Sequence, residues 1–395
     1  MKHGISSTIH YHNDMTIPFY KPRRVINEIV YIEDSLARGN TVGGGQESTW
    51  CSDWLENNLN ANRVLLTNSA TDALEMAALL LNLVPGDEII MPSYTFSSSA
   101  NAFILRGAKP VFVDVDPHTM NIDPNAIESA ITPSTKVILV VHYAGVACEM
   151  DDILRICKKY DLRLVEDAAQ GIMSKFIDKA LGTFGDLACI SFHATKNLVS
   201  GEGGALIINN PNLVERAKIL LEKGTNRDQF INGQVDKYTW VDIGSSYLPS
   251  EITAAYLRSQ LEKADEITDY RLKNWNYYFK EFTNYGEELG IRTIMPPDSA
   301  QHNAHIFFLV LLSELKRDIF IREMKKHGIA CTSHYVPLHS SKAGRKFGKV
   351  GSQMLITDSI PSRLVRLPMW SHEDMPIDII TNKAINVLKK IKSDE

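Results

Sequence analysis

The sequence predicts an α/β protein with a larger domain on a mixed, mostly parallel sheet and a smaller C-terminal α/β domain. From Asp87 onward, short apolar runs alternate with segments of helical length, a pattern typical of a parallel sheet covered on both faces. The chain has 395 residues, more than one ordinary core accommodates, so two domains are expected. We place an N-terminal extension at residues 1–14, the large domain at 15–265 and the small domain at 266–395.

Composition and charge exclude several classes of protein. Hydrophobic residues make up 44% of the chain and charged residues 23%, as in ordinary globular proteins. The formal net charge of −5 offers neither a nucleic-acid footprint nor a polybasic membrane patch, and no apolar run approaches the ~18 residues of a membrane span. The cysteines are five in number, without a CxxC pair, which favours neither a disulfide framework nor a zinc site and fits a reducing cytoplasm.

The N-terminal part of the large domain contains two helices and a glycine-rich break. Apolar residues recur at helical spacing over residues 23–36, and a shorter helix is predicted over 50–59. Between them, residues 39–45 include four glycines. This segment is either a plain linker or a loop that lines a ligand site.

The turn at residues 67–71 connects a short predicted strand, residues 63–66, to a predicted helix over 72–83. This helix is apolar nearly all round, so we expect it to be buried. Hydroxyl groups and free backbone N–H groups gather at the start of this helix, where the helix dipole is positive. That arrangement suits a phosphate. The alternative is a simple N-cap by Ser69 or Thr71.

Several predicted strands end in residues that are unusual for a strand end. The strands are expected at residues 88–91, 110–114, 137–141, 162–167 and 187–190, with helices at 97–105, 124–130 and 150–159 between them. Ligands of such sheets lie beyond the carboxyl ends of the strands. Asp167 closes an apolar strand, and a buried carboxylate requires a cation, either an arginine or a protonated ring nitrogen.

Lys196 lies where the apolar run at residues 187–190 gives way to a loop. Desolvation in a pocket lowers the pKa of a lysine and frees its amine for Schiff-base chemistry. The alternative is an ordinary solvated lysine at a strand end.

Together, these strand ends supply the groups that pyridoxal phosphate requires. The helix start at Ser69 and Thr71 would hold the phosphate, and Phe96 would stack on the pyridine ring. Asp167 would keep the ring nitrogen protonated, and Lys196 would form the Schiff base. Each signal is weak alone, but the combination in this order predicts a pyridoxal-phosphate enzyme.

The same stretches carry a family resemblance. The segments PSYTFSSSANAFILRGAKPVFVDVD, VHYAGVACEMDDI, VEDAAQ, SFHATKN and GEGGALI resemble the DegT/DnrJ/EryC1/StrS sugar aminotransferases, over nearly the whole chain. The resemblance implies the fold type I, aspartate-aminotransferase-like architecture. It also implies transamination, because a dehydrating branch of the family has histidine where this chain has Lys196.

The resemblance assigns roles to individual positions. Lys196 is implied as the Schiff-base lysine, Asp167 as the partner of the pyridine nitrogen, and Gln170 as a neighbour of the ring's phenolic oxygen. The other implied cofactor contacts are Ser69, Ala70, Thr71, Phe96 and Ser191. A phosphate contact from a neighbouring subunit falls in the family motif GYNYRM, where this chain has Ser246 in place of asparagine.

The implied reaction moves an amino group from L-glutamate to a nucleotide-linked keto sugar, with Lys196 as acid and base. The resemblance implies dTDP-4-keto-6-deoxyglucose as the acceptor and a homodimer with shared active sites. The charged segment at residues 222–229 offers Lys223, Asn226 and Arg227 as substrate-binding residues, or is a solvated loop. The alternatives within enzymes are another 4-epimer or a 3-keto sugar, and outside enzymes a pyridoxal-phosphate-binding regulator.

The C-terminal part changes character after one long helical region, residues 250–267, which continues into 269–285. A strand, a helix over 317–327 and a last helix over 377–390 follow, as expected for the smaller domain. His334 and His339 have a spacing that metal ligands can use, but no further cysteine or acidic pair supports a metal. Lining of the substrate pocket by His334 and Tyr335 is the other interpretation.

Overall fold

The computed structural model describes residues 17–393. The predicted extension at residues 1–14 lies outside the described residues. No helix within 17–393 combines the length and hydropathy needed to cross a bilayer.

Helices and strands alternate along most of the described chain. The strands are β1 Arg63–Thr67, β2 Glu88–Pro92, β3 Lys109–Val113, β4 Thr135–Val141, β5 Arg163–Asp167, β6 Lys175–Phe176, β7 Lys179–Ala180, β8 Leu187–Ser191, β9 Gly204–Ile208, β10 Arg292–Thr293, β11 Ala300–Gln301, β12 Phe308–Val310, β13 Lys349–Val350 and β14 Leu364–Arg366. The helices are α1 Glu28–Ala37, α2 Gln46–Leu59, α3 Ala70–Leu80, α4 Ser97–Ile104, α5 Pro124–Ala130, α6 Met150–Tyr160, α7 Val214–Leu221, α8 Arg227–Ile231, α9 Glu251–Leu261, α10 Ala264–Asn284, α11 Gly286–Leu289, α12 Glu314–Lys326, α13 Lys342–Phe347, α14 Leu355–Ser359 and α15 Ile377–Ser393.

The large sheet has eight strands among the described residues, in the order β1-β9-β8-β5-β4-β2-β3-β13. β9 runs antiparallel to both of its neighbours, β1 and β8. The other pairings in the sheet are parallel. The predicted mixed, mostly parallel sheet is therefore confirmed, and with it the α/β fold class.

Both faces of this sheet are covered, because its central strands carry apolar side chains on both sides. On β4, Val137 and Leu139 pack into one core with α3 and α4. Their neighbours Ile138 and Val140 pack into another core with α5 and α6. This alternation follows from the two-residue period of a strand. It also leaves the carboxyl ends of the parallel strands as the edge where polar side chains gather.

The C-terminal part contains a second, smaller sheet in the order β10-β12-β14. It shares one apolar core with α10, α12 and α15, built around Tyr278, Phe307 and Phe320. The domain boundary near residue 265 stays a prediction.

Several helices differ from their predicted bounds: α1 begins at Glu28 rather than at residue 23, and α2 begins at Gln46 rather than at residue 50. Two further differences have a visible cause. The helix predicted over 250–267 is interrupted, because Lys263 leaves helical geometry (φ −114°, ψ 16°) between α9 and α10. The helix predicted from residue 72 begins at Ala70, since the Ser69 side chain caps it by accepting a hydrogen bond from the Asp72 N–H at 3.1 Å. That earlier start places backbone N–H groups at the strand edge.

Candidate active site

A cavity of about 520 Å³ opens at the carboxyl ends of the parallel strands. Its walls come from residues after β1, β2, β5 and β8 and from the C-terminal part of the chain. The predicted site residues that line it are Ser69, Ala70, Thr71, Phe96, Asp167, Gln170, Ser191, Lys196, His334 and Tyr335. Folding thus brings into one cavity residues that are far apart in sequence.

The start of α3 forms one wall of the cavity. The backbone N–H groups of Ala70 and Thr71 donate to no backbone carbonyl within the described chain. A phosphate would be well placed here for three reasons. The two backbone N–H groups are free to donate, the hydroxyls of Ser69 and Thr71 lie in the same turn, and the helix dipole is positive at this end. Ser69 also caps the helix, so the simple N-cap and the anion site are both present in the same turn.

Gly204 lets the first residue of β9 lie directly against this turn. A β-carbon at Gly204 would be 2.3 Å from the carbonyl carbon of Ser69 and 2.4 Å from the backbone nitrogen of Ala70. Any side chain there would displace the start of α3. The glycine therefore fixes the position of the predicted phosphate site.

Asp167 ends β5 and is buried. Its Oδ2 accepts a hydrogen bond from the Ser99 hydroxyl at 2.7 Å, and its Oδ1 accepts one from the Ala169 N–H at 3.1 Å. Among residues 17–393 the carboxylate pairs with no arginine or lysine within 4.0 Å. A protonated ring nitrogen would supply the cation that the sequence argument requires.

Lys196 contributes the amine of the cavity. No hydrogen bond or ion pair within the described residues engages its Nζ. Burial lowers the pKa of Lys196 to about 8, although the charge of Asp167 opposes the shift. More of the amine is therefore neutral and nucleophilic near physiological pH than in a solvated lysine.

Aromatic side chains form another wall of the cavity. Phe96 is 57% exposed, and its ring centroid lies 6.1 Å from that of Tyr335. An open aromatic face on the wall of a cavity is suited to stacking. Tyr335 stacks on His334 with 3.7 Å between centroids, and the Tyr143 hydroxyl lies 2.7 Å from His334 Nδ1.

Gln170 ties this wall to the sheet. Its Nε2 donates to the Tyr335 hydroxyl at 3.0 Å, and its Oε1 accepts from the Ala144 N–H at 2.8 Å. Ala144 has a left-handed backbone, φ 60°, so the hydrogen bond holds a strained turn in place. Gln170 is thus fixed from both ends.

Sequence reasoning missed three polar cavity residues from the C-terminal part: Arg271, His305 and Arg366. Arg271 is buried and, within residues 17–393, donates only to the backbone carbonyls of Ala304, His305 and Met369. Burial lowers the pKa of Arg271 to about 9. Arg366 follows the apolar pair Leu364 and Val365. A charge that interrupts an apolar strand was the signal that could have found it.

Four predicted residues do not line this cavity: Ser246, Lys223, Asn226 and Arg227. They lie together elsewhere, where a β-bridge joins Glu222 to Ser246. Glu222 pairs with Arg227 at 2.7 Å and with Lys223 at 3.4 Å. The side chain of Asn226 bonds the backbone of Lys237 and Thr239. Within one chain these residues form a separate charged surface, and their substrate or cofactor contacts stay predictions.

His334 and His339 are committed to different partners. His339 Nδ1 lies 2.7 Å from the Ser93 hydroxyl, and its Nε2 lies 2.9 Å from Asp358. Within residues 17–393 no group of three or more His, Cys, Asp or Glu side chains could hold a metal ion. The spacing of the two histidines thus reflects separate hydrogen bonds.

The sequence profile of the DegT/DnrJ/EryC1/StrS aminotransferase family matches residues 26–381. The chain belongs to this family. A curated relative, an uncharacterized protein of Methanocaldococcus jannaschii, is 33% identical over 96% of this chain and 98% of its own length.

Solved structures of aminotransferases share this fold. The aminotransferase TlmJ of Streptoalloteichus hindustanus has a TM-score of 0.87 at 26% identity, over 95% of this chain and 100% of that one. A Streptococcus pneumoniae protein described as a candidate sugar aminotransferase, solved in a pyridoxamine-phosphate form, has a TM-score of 0.86 at 26% identity, over 95% of this chain and 100% of that one. The fold type I architecture, the transaminase class and pyridoxal phosphate as cofactor, all predicted from the sequence, are confirmed.

Proposed function

We propose that this family member transfers the amino group of L-glutamate to a nucleotide-linked 4-keto-6-deoxy sugar, converting dTDP-4-keto-6-deoxyglucose to dTDP-4-amino-4,6-dideoxygalactose. The transaminase part of this proposal rests on the environment of Lys196. Its amine lines the cavity with a pKa lowered to about 8, beside the buried carboxylate of Asp167.

The described residues fit the cofactor group by group. The α3 start offers unpaired N–H donors for the phosphate, Phe96 offers an open ring face, and Asp167 offers an uncompensated carboxylate. When bound, pyridoxal phosphate supplies an electron sink for the carbon that carries the amino group. Asp167 would hold a proton on the ring nitrogen, and Ser99 would keep that carboxylate oriented.

Lys196 would perform the proton transfers. Its Nζ has no competing hydrogen-bond partner in the described chain, so the amine is available both to hold the cofactor and to move a proton at the reacting carbon. A pKa near 8 suits both directions of transfer, because the amine and its ammonium form are both populated near neutral pH.

Individual polar side chains on the cavity wall support a sugar as acceptor. Tyr335 and His334 present a hydroxyl and a ring on one wall. The choice of a dTDP-linked 4-keto sugar rests on the family resemblance of the sequence. If the enzyme instead forms the other 4-epimer or acts on a 3-keto sugar, the structure of the product would show it.

A homodimer with shared sites is the proposed assembly. Several apolar side chains are exposed beside the charged surface of Lys223, Arg227 and Ser246; these are Phe230 at 45%, Ile231 at 63%, Trp240 at 75% and Val241 at 51%. Contiguous exposed apolar side chains are typical of a protein interface. If a second subunit packs against this surface, the charged residues of one subunit would lie near the cavity of the other.

The experiment is an absorption spectrum of the purified protein before and after addition of glutamate. We expect a visible band from cofactor attached to Lys196, bleached by glutamate, and no such band in Lys196→Ala. Lys175→Ala, which removes an exposed lysine outside the cavity, is the matched control and should behave as wild type. Incubation with several nucleotide-linked keto sugars, followed by mass and NMR analysis, then identifies the acceptor; a product aminated at another carbon would replace the proposed substrate.

A further inference from the structure

His305 is a buried histidine whose tautomer is fixed by its neighbours. Asn197 Nδ2 donates to the backbone carbonyl of Asn303 at 2.9 Å. A carbonyl oxygen can only accept, so the NH₂ group of Asn197 must face Asn303, and its Oδ1 is the atom that lies 2.9 Å from His305 Nδ1. An amide oxygen also can only accept, so the Nδ1 of His305 carries the hydrogen.

The other ring nitrogen, Nε2, is an acceptor that faces no donor. Burial, and after it the charge of Lys196, hold the pKa of His305 well below its usual range. The ring is therefore neutral near pH 7 and has a single N–H group, the one on Nδ1. His305 lines the cavity although only 7% of it is exposed, and no hydrogen bond within residues 17–393 engages its Nε2. Nε2 thus suits a ligand that donates a hydrogen bond.

The turn that carries His305 is anchored to the loop after β5. Asn303 Oδ1 accepts from the His305 N–H at 3.0 Å, and Asn303 Nδ2 donates to the carbonyls of Gln170 and Ile172 at 2.8 and 2.7 Å. Gly145 lies so close that a β-carbon there would be 1.9 Å from Asn303 Oδ1. A ring held in this way keeps Nε2 in one place, as recognition of a single ligand atom requires.

We propose that His305 Nε2 accepts a hydrogen bond from the sugar hydroxyl on the carbon next to the reacting carbonyl, which is the C3 hydroxyl of dTDP-4-keto-6-deoxyglucose. This inference rests on the proposed function and names a residue that recognises the acceptor substrate. A sugar hydroxyl that loses its water on binding needs a new acceptor for its hydrogen.

The other polar groups near His305 cannot fill this role. Lys196 and Arg366 are close enough that their charges lower the pKa of His305, and when charged both side chains are only donors. The carboxylate of Asp167 already accepts from the Ser99 hydroxyl and is proposed to face the cofactor nitrogen. His305 is therefore the acceptor that this part of the cavity offers to a hydroxyl.

The chemistry of the proposed sugar selects one hydroxyl. Lys196 acts at the reacting carbon, C4, and His305 lies near Lys196, so the atom that His305 contacts is expected on C4 or on a neighbouring carbon. C4 carries the keto oxygen, which has no hydrogen to donate. C5 carries a methyl group and the ring oxygen. The C3 hydroxyl is the donor that remains.

The first test separates the two half-reactions. His305→Asn removes the Nε2 acceptor but keeps an NH₂ group that can take the place of Nδ1–H, whereas His305→Gln restores an acceptor near the position of Nε2. The matched control is His327→Asn, which changes an exposed histidine outside the cavity. We expect the sugar concentration needed for half-maximal amination by the pre-aminated enzyme to rise roughly 5- to 50-fold in His305→Asn, because a buried hydrogen bond is lost. His305→Gln should recover part of this loss, and the glutamate concentration for half-maximal bleaching should change much less.

A binding cycle keeps the result independent of turnover. Two unreactive ligands are titrated calorimetrically into the holoenzyme: dTDP-6-deoxyglucose, which has a hydroxyl in place of the 4-keto group, and its 3-deoxy counterpart. Loss of the C3 hydroxyl should weaken binding roughly 5-fold or more in wild type and in His327→Asn. It should change little in His305→Asn, which has already lost the partner of that hydroxyl.

An equal effect of the 3-deoxy change in wild type and in His305→Asn would overturn the assignment, because His305 would then act only on the structure of the site. A loss confined to the glutamate half-reaction would also overturn it, since His305 would then contact the amino donor. A wild-type protein that binds neither dTDP sugar would overturn both the assignment and the proposed substrate. The expected binding cycle without glutamate-dependent bleaching would instead refute the proposed function alone.

Discussion

The carboxylate of Asp167 accepts a hydrogen bond of 2.7 Å from the hydroxyl of Ser99, which lies 2.8 Å from the hydroxyl of Thr95. This short chain of hydroxyls fixes the carboxylate at the end of β5. It leaves the charge of Asp167 uncompensated by any described lysine or arginine at ion-pair distance.

Replacement of Asp167 by asparagine should lower the rate of transamination about 100-fold or more, as is typical when a preorganised electrostatic partner is removed. The neutral amide cannot keep a ring nitrogen protonated. Steady-state kinetics with cofactor content measured in parallel tests this. Ser99→Ala, which leaves the carboxylate in place, should cost much less; an Asp167→Asn enzyme with wild-type turnover would contradict the role.

Attachment of pyridoxal phosphate to the cofactor-free protein should accelerate as the pH rises toward and through about 8, the pKa of Lys196. Only the neutral amine reacts, and burial makes it available below the ordinary lysine pKa of about 10.4. Stopped-flow absorbance over pH 6 to 10 measures the profile. An inflection near that of a solvated lysine would show that the amine is not desolvated.

The same pKa predicts a stability effect. At pH 7 Lys196 is mostly protonated in both the folded and the unfolded protein, so the folded protein bears nearly the full cost of a buried ammonium. As the pH rises from about 8 to about 10.4, the unfolded state binds more protons and this cost disappears. Cofactor-free Lys196→Met should therefore be more stable than wild type by roughly 2 to 3 kcal/mol at pH 7, and the gain should vanish near pH 10. Urea denaturation at both values measures it.

Glu166 precedes Asp167 and points to the other face of the sheet. Its Oε1 accepts from the N–H groups of Phe184 and Gly185 at 2.7 Å, and its Oε2 accepts from that of Gly182 at 2.8 Å and from His142 Nε2 at 3.0 Å. In Glu166→Gln one acceptor becomes an NH₂ group facing donors, and we expect a loss of about 3 to 5 kcal/mol in the free energy of unfolding. Denaturant titration checks this, with Glu128→Gln on the surface as the control that should change little.

Substitution of Gly204 by alanine should weaken cofactor binding, because the new methyl group would overlap the Ser69–Ala70 turn. Overpacking typically costs about 1 to 3 kcal/mol, and here the steric overlap would distort the phosphate site itself. The dissociation constant for pyridoxal phosphate should therefore rise at least about tenfold. Gly286→Ala, where the added β-carbon meets its nearest atom at 3.5 Å, is the control. If Gly204→Ala bound pyridoxal phosphate as tightly as wild type, the contact between Gly204 and the Ser69–Ala70 turn would not be needed for cofactor binding.

Shared active sites predict complementation between two inactive variants. Lys196→Ala and Arg227→Ala should each be impaired, and mixed dimers should regain one intact site. After unfolding and joint refolding, about one quarter of the wild-type sites should be active if subunits pair at random. Absence of recovery in mixtures that contain mixed dimers would place Arg227 outside the shared site.

The sheet, the α3 start, Asp167 and Lys196 could be predicted from the sequence because each leaves a local signal. Asp167 closes an apolar run, and Lys196 follows one. Arg366 left a weaker trace, since its importance depends on which groups face it across the cavity after folding. The proposed contact of Arg227 would be made across a subunit interface, so it leaves no signal in the sequence pattern or the fold of one chain.

The last strand of the large sheet, β13, comes from residues 349–350 and pairs with β3, although the rest of that sheet ends at Ile208. A ribosome that has released only the first two-thirds of the chain therefore presents β3 as an open edge. Unpaired edges recruit other strands. Completion of this sheet must wait until nearly the whole polypeptide has been made, and a fragment that ends at the proposed domain boundary should aggregate.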